Sequence, residues 1–359
     1  MSAFKKKECM NKNVILPLVL CAVFLFPCCA KKEAAKNLHK DISHNITIGF
    51  SIDSFVIERW RRDCDVFIDT AKENGASVII QNAGNSVEEQ INQIKYLIDS
   101  NVDVLVIVPK EASKLSEVIQ KAHAKNIPVI SYDRLVLNAP IDLYVTINSK
   151  KVGELMAEEL LKLKPKGSWF CIYGAEEDYN MQILREGVFD VINKYNAKSK
   201  TPVKIDMEFF TEGWNYDLSY KKMNEMLETK RYPQAVICGN DAVAEHVLRS
   251  LSEHRINDIA VSGQDADIAA CQRIIDGKQS ITVYKPITQL AQLAAKYACE
   301  LAYGKTASEI VTSGDTINNG FSDVPVLWLA PKVVNKDNIE EVIIKTGFHT
   351  KEEIYRNIQ

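Results

Sequence analysis

The chain lacks the marks of the common enzyme chemistries. It has no G-x-x-x-x-G-K-S/T loop to cradle phosphates and no G-x-G-x-x-G after its first apolar strand, so nucleotide chemistry has no seat in it. Neither a G-x-S-x-G elbow nor an H-E-x-x-H helix occurs, which removes the hydrolase and zinc-protease patterns. The six histidines (His39, His44, His123, His246, His254 and His349) are scattered rather than clustered. The nine cysteines form no C-x-x-C and have no histidine nearby, so neither a metal site nor a cofactor is expected. Five of them, Cys64, Cys171, Cys238, Cys271 and Cys299, fall in the body of the chain. An odd count at wide spacing reads as small buried apolar side chains, not as a disulfide framework. Nor is there an excess of positive charge. The 44 Lys and Arg against 47 Asp and Glu give a net charge of −3, which offers nucleic acid no attraction.

What is present begins with an amino terminus unlike the rest. Lys5, Lys6, Lys7 and Lys12 precede the apolar run Val14–Pro27, which leads into Cys28, Cys29 and Ala30. A basic region, a short apolar region and a polar exit make an export signal, and the run is too short for a spanning helix of about 20 residues. Met10 offers a second start to an equally good signal. The signal ends in cysteine, so lipidation on Cys28 or Cys29 is expected, although Leu25-Phe26-Pro27 lacks the usual small residue; the alternative is an uncleaved anchor. Either way the body is expected outside the cytoplasmic membrane, with residues 1–29 as leader and 30–44 as a polar tether.

From Ile46 onward strands and helices alternate. Apolar strand candidates are Ile46–Ile52, Val78–Gln81, Val104–Val108, Val129–Tyr132, Leu143–Ile147, Trp169–Tyr173, Ala235–Cys238, Ile259–Ser262 and Ile281–Tyr284. Helical stretches lie between them, among them Val56–Asn74, Val87–Ser100, Lys150–Leu163, Ala242–Ser252 and Ile287–Leu301. Strands apolar along their whole length are covered on both faces, so the expectation is an α/β fold with parallel sheets. The pattern runs twice, which predicts two Rossmann-like lobes joined by a multi-strand hinge. Lobe 1 is expected over 45–147 plus 285–317, and lobe 2 over 148–284 plus 318–359.

Ligands of such sheets bind beyond the carboxyl ends of the strands. Polar and aromatic residues gather there: Glu58-Arg59-Trp60, Asp133-Arg134, Asp178-Tyr179-Asn180, Gly213-Trp214, Gly239-Asn240-Asp241, Gly263-Gln264-Asp265 and Lys285-Pro286. Carboxylates, amides and guanidinium forks bond vicinal hydroxyls, and indoles cover the C–H face of a pyranose. This chemistry suits a polyhydroxylated ligand. Each residue also has a plainer reading. Asp241, Asp265 and Asn180 could cap the next helix, Trp60 could be core, and Lys285 a solvated charge.

At these residues the chain resembles the type I periplasmic binding proteins for sugars, and within them the D-xylose-binding proteins of ABC transporters. The matching segments are IGFSIDS and IERW (48–60), EEQINQIKYLIDSNVDVLVIVP (88–109), VISYDR (129–134), KVGEL (151–155), GND (239–241), SGQDAD (262–267), TVYKPIT (282–288), TINNGFSDVP (316–325) and KTGFH (345–349). The resemblance runs from about residue 45 to the carboxyl terminus. It implies sugar-binding roles for Arg59 and Trp60, Asp133 and Arg134, Asn180, Trp214, Asn240, Asp265 and Lys285. Two segments depart from the family pattern. Ile147-Asn148-Ser149 stands where F-D-N is common, and Gly174–Met181 replaces G-S-P-x-D-N-N-A while keeping Asp178 and Asn180. The second change makes the pocket's neighbourhood bulkier, and xylose and glucose differ by one CH2OH group, which an apolar pocket separates only modestly.

The resemblance implies a binding protein, not an enzyme, that traps D-xylose or a related aldose such as glucose and hands it to the permease of an ABC transporter. The alternative is a xylose sensor of the same fold that signals to a membrane histidine kinase. A sugar-modifying enzyme is disfavoured because no general base stands beside a metal or phosphate motif.

Overall fold

Thirteen strands and the helices between them account for the body of the chain. The computed structural model describes residues 45–356, Glu58 excepted. The leader, the tether and both candidate lipidation cysteines lie outside the described residues.

The first half alternates as β1 (Ile46–Ile52), α1 (Arg59–Glu73), β2 (Ala76–Asn82), α2 (Val87–Asp99), β3 (Val104–Ile107), α3 (Ser116–Ala124), β4 (Val129–Tyr132) and β5 (Leu143–Ile147). Strands β3, β4 and β5 are buried at every position, as their unbroken apolar sequences require of strands covered on both faces. The second half runs α4 (Ser149–Leu163), β6 (Gly167–Tyr173), α5 (Tyr179–Asn196), β7 (Val203–Phe210), α6 (Tyr216–Glu228), β8 (Ala235–Cys238), α7 (Asp241–Glu253), β9 (Ala260–Gln264), α8 (Ile268–Ile275) and β10 (Ile281–Tyr284). Then come α9 (Ile287–Ala302), β11 (Thr316–Asn318), β12 (Asp323–Leu329) and β13 (Lys332–Val334), with a short helical turn on either side of the strands.

Two sheets result. One has the order β11-β12-β5-β4-β3-β1-β2 and the other β13-β10-β9-β8-β6-β7. Pairings are parallel except β11 with β12 and β13 with β10, so the expected two-lobed α/β architecture is present. Helix α9 packs on α1 and on the first sheet, whereas α4 packs on α5 and on the second. One apolar cluster passes through both lobes on the side of α1, α9, α4 and α5, and each sheet carries a second cluster on its other face.

The chain changes lobe three times: at Asn148, at Lys285–Pro286 and at Ala330–Pro331. The last differs from the expected boundary after residue 317. Strand β12 pairs in parallel with β5, Val326 opposite Tyr144 and Leu329 opposite Ile147, so 318–329 belongs with lobe 1. Asn148 sits at the first crossing; its backbone N–H donates to Leu329 O at the third (3.1 Å), and its side chain caps α4 by accepting from Lys151 N (2.9 Å). An Asn can do this as well as the Asp of the related pattern. All five body cysteines are buried and unbridged.

Candidate functional site

The carboxyl ends of both sheets face one cleft. On the lobe 1 side, β4 ends at Tyr132 and the chain turns through Asp133 in left-handed backbone (φ 61°). A residue other than glycine is uncommon there, and Asp is among those that tolerate it. The turn is held by its own carbonyl, which accepts from Tyr144 Oη (2.9 Å), Thr146 Oγ1 (2.7 Å) and Asn180 Nδ2 (3.1 Å). It aims the Asp133 carboxylate at Arg59, in the first turn of α1, with Oδ2 2.8 Å from Nη1. Arg59 also forks onto Asp63 one helical turn on, at 3.1 and 3.0 Å, and Tyr132 Oη donates to that same Asp63. The neighbouring Arg134 donates to Asp53, just beyond β1, at 2.6 Å. Trp60 lies beneath both guanidinium groups, 4.3 Å from Arg59 and 5.5 Å from Arg134.

Lobe 2 supplies the opposite wall. Asp178 caps α5, accepting from Asn180 N at 3.0 Å, and its other oxygen reaches Arg134 Nε across the cleft at 2.7 Å. Asn180 Nδ2 also donates to Asp133 Oδ1 (3.0 Å). Past β7, Gly213 (φ 56°) and Trp214 (φ 61°) both take left-handed backbone. This lays the indole on Gly174, where a Cβ would stand 2.1 Å from a ring carbon; only glycine leaves room for the ring. Beyond β9 and β10, Asp265 and Lys285 pair at 2.7 Å. At the rim Lys110 of lobe 1 meets Glu177 of lobe 2 at 2.5 Å.

Charge in this buried cluster is paired rather than free. Burial pushes the Asp133 carboxyl up, but Arg59, Lys285 and Arg134 outweigh it and hold the group below the usual carboxylate range. For Asp63 and Asp178 burial wins over the arginines, and both are raised. Burial also opposes the charge on Arg59 and Arg134, but the carboxylates of Asp133 and Asp63, and of Asp178 and Asp53, keep both firmly protonated. Arg59 Nη1 and Asp265 Oδ1 touch their ionic partners without hydrogen-bond alignment, and Trp60 Nε1, Trp214 Nε1 and Asn180 Oδ1 are buried with no partner. Buried donors and acceptors of this kind are costly unless something else bonds them.

These groups surround a cavity of about 20 Å³, room for about one water, so a sugar ring enters only when the lobes part. Two larger hollows, of about 540 and 680 Å³, are shallow surface features at the opposite, amino ends of the strands, without a buried charge cluster. Of the nine residues singled out in the sequence, Arg59, Trp60, Asp133, Arg134, Asn180, Trp214, Asp265 and Lys285 line the cavity. Asn240 does not. It caps α7, accepting from Val243 N at 2.9 Å, and donates to Tyr216 Oη at 3.3 Å. Ser149 and Gln264 line the cavity as well, and Asp53, Asp63 and Asp178 fix the arginines. Asp53 follows the IGFSI strand and was visible as a strand-end carboxylate. Asp63 is marked only by its i, i+4 spacing from Arg59.

Among the described residues, the carboxylates that line the cavity are each engaged by a cation or an amide. The fold and site thus define a solute-binding protein of the two-lobed class. Residues 48–306 match the periplasmic binding protein domain. The chain is 41% identical over 315 residues to the D-xylose-binding periplasmic protein of Haemophilus influenzae, covering 87% of this chain and 93% of that one. It is 39% identical over 311 residues to the D-xylose-binding periplasmic protein of Escherichia coli K12, covering 86% and 92%. The crystal structure of an ABC transporter solute-binding protein from Clostridium phytofermentans with bound β-D-glucose matches with a TM-score of 0.79 at 27% identity, over 86% of this chain and 99% of that one. The chain belongs to the type I periplasmic binding protein family, whose members among these relatives are binding proteins and not enzymes.

Proposed function

We propose that this protein binds D-xylose, or an aldose close to it, between its two lobes outside the cytoplasmic membrane and delivers it to the permease of an ABC transporter. The observation that carries the reading is the group of buried, unpartnered Trp60 Nε1, Trp214 Nε1 and Asn180 Oδ1 beside Asp133, Arg134, Arg59, Asp265 and Lys285. It is a donor and acceptor set matched to ring hydroxyls, with two indoles for the C–H faces. The sugar itself is drawn from the relatives, two of which are D-xylose-binding proteins. A lipid on Cys28 or Cys29 would tether the body to the membrane.

Calorimetric titration with D-xylose, D-glucose, D-ribose and L-arabinose tests the site. Binding of xylose at micromolar concentration or tighter, with a change in tryptophan emission, supports it. Preference for another of the four means that the Gly174–Met181 loop has retuned the pocket, and silence toward all four overturns the reading. Uptake of labelled xylose lost on gene deletion identifies the permease as partner. Loss of xylose-induced transcription with uptake intact identifies a histidine kinase instead. Mass spectrometry of the membrane-extracted protein settles which cysteine, if either, carries lipid.

A further inference from the structure

Asp265 reaches the cavity by an unfavourable backbone route. Asp265 and Ala266 both lie in the left-handed region (φ 97° and 56°), and neither is glycine. Two such residues in succession persist only where the surroundings hold them, and here the holding groups can be followed bond by bond. Val283 O accepts from Asp265 N at 3.0 Å. Thr282 Oγ1 accepts from Ala266 N at 3.2 Å and donates to Asp241 Oδ2 at 2.8 Å. The same carboxylate oxygen accepts from Asp267 N at 3.1 Å. The other, Oδ1, accepts from Gln279 Nε2 at 2.8 Å. It also lies against the Gly263 backbone, where a Cβ would stand 2.1 Å from it. On the far side His349 Nε2 donates to Ala266 O at 2.8 Å. Asp241 and Thr282 are fully buried, and neither lines the cavity.

We infer that Asp241 and Thr282, braced by His349, are positioning residues for sugar binding: they hold the Gln264–Asp267 turn so that the Asp265 carboxylate faces Lys285 and the ligand. The inference rests on the reading of Asp265 as a sugar contact. It extends the site to a second layer drawn from three separate segments, α7, β10 and the carboxyl-terminal loop.

Thr282→Val keeps the side chain's shape and deletes the hydroxyl; Thr282→Ser keeps the hydroxyl. Xylose affinity is measured by calorimetry on the full chain, well below each variant's melting temperature, alone and combined with Asp265→Asn. One lost hydrogen bond in a buried network corresponds to about tenfold in affinity. The expected result is that Thr282→Val binds about tenfold more weakly, Thr282→Ser stays close to wild type, and most of the valine effect disappears in the Asp265→Asn background, because Thr282 acts through Asp265. A Thr282→Val protein that melts earlier but binds as wild type overturns the inference, as does a loss that simply adds to that of Asp265→Asn. If Thr282→Val does not fold, His349→Ala is measured in the same way, with His349→Gln as the donor-retaining control. The crystal structure of the chosen variant gives a readout free of sugar. Asp265 leaving positive φ supports the inference even if wild type binds none of the sugars tried, in which case the site reading has failed separately; an unchanged turn overturns it.

Discussion

Asp133 does the work of two residues. Its carboxylate balances Arg59 while its carbonyl ties the turn to β5 and to the opposite lobe. Asp133→Ala removes the proposed hydroxyl acceptor, a charged hydrogen bond worth up to about 3 kcal/mol, so sugar affinity should fall ~100-fold by calorimetry. Asp241 gives a pH signature. Burial, and then the neighbouring Asp265 carboxylate, push its carboxyl up to about 7, against about 4 in an unfolded chain. Between those values the folded protein holds the proton more tightly. The group's contribution to stability is therefore full below about pH 4 and is lost as pH rises through about 7. Urea unfolding at about pH 5 and about pH 8 should show wild type losing more stability over that interval than Asp241→Asn. At this scale the sequence was legible where a charge ends an apolar run, as with Asp133 and Arg134, and where a motif carried a rare type, as with Trp60 and Trp214. It was least legible where residues of one type share a turn. In GND, Asn240 makes the cap that was open to Asp241, and Asp241 goes inward to brace Asp265, because only the packed fold reveals which side chain the loop turns toward the cleft.

Helix α5 shows how an element can be set by its first residue. Asp178 caps it and also reaches Arg134 in the other lobe, so the helix start and the cleft are fixed by one carboxylate. Asp178→Ala should lower stability by about 3 kcal/mol: about 1 for the cap, the rest for the charged hydrogen bond that Arg134 loses while keeping Asp53. Chemical denaturation measures this, and a loss of only about 1 kcal/mol would mean that Asp53 alone satisfies Arg134. Strands β1, β4, β5, β8 and β10 fall where their apolar runs predicted. The third lobe crossing was misplaced because β12 reads poorly as a strand: DVPVLWL carries Pro325 and is flanked by the polar NNGFSD turn. Pro325 is accommodated because it stands opposite Thr316, where the bond to the β11 side comes from Val326 N to Asp315 O, and pairing with β5 begins only at Val326, so its missing N–H costs little.

Across the whole molecule the lobes are joined by three crossings and, when closed, by Arg134–Asp178, Asn180–Asp133, Lys110–Glu177 and the Asn85 Nδ2 donation to Gly213 O at 3.4 Å. The first two are buried at the proposed sugar site, so ligand binding and closure are thermodynamically linked, as in hinged binding proteins. A sugar that binds only the folded protein stabilises it by about 2.7 kcal/mol at 100 times its Kd. For a chain of this size that is a rise of several degrees in Tm. Scanning calorimetry with xylose and with glucose should give shifts in the order of their affinities, and small-angle scattering should show a smaller radius with xylose present. Unchanged scattering on saturation would mean that the lobes stay closed throughout.

The interleaving of the lobes also sets a timetable for folding. Lobe 2 holds five of its six strands by residue 284, whereas lobe 1 receives α9 after that and β12 only at 323–329. A chain still emerging from the ribosome thus carries β5 as a bare sheet edge, a liability in any partly folded protein, until the last tenth of its length is made. The half that is begun first is thus not complete until the chain has passed Leu329.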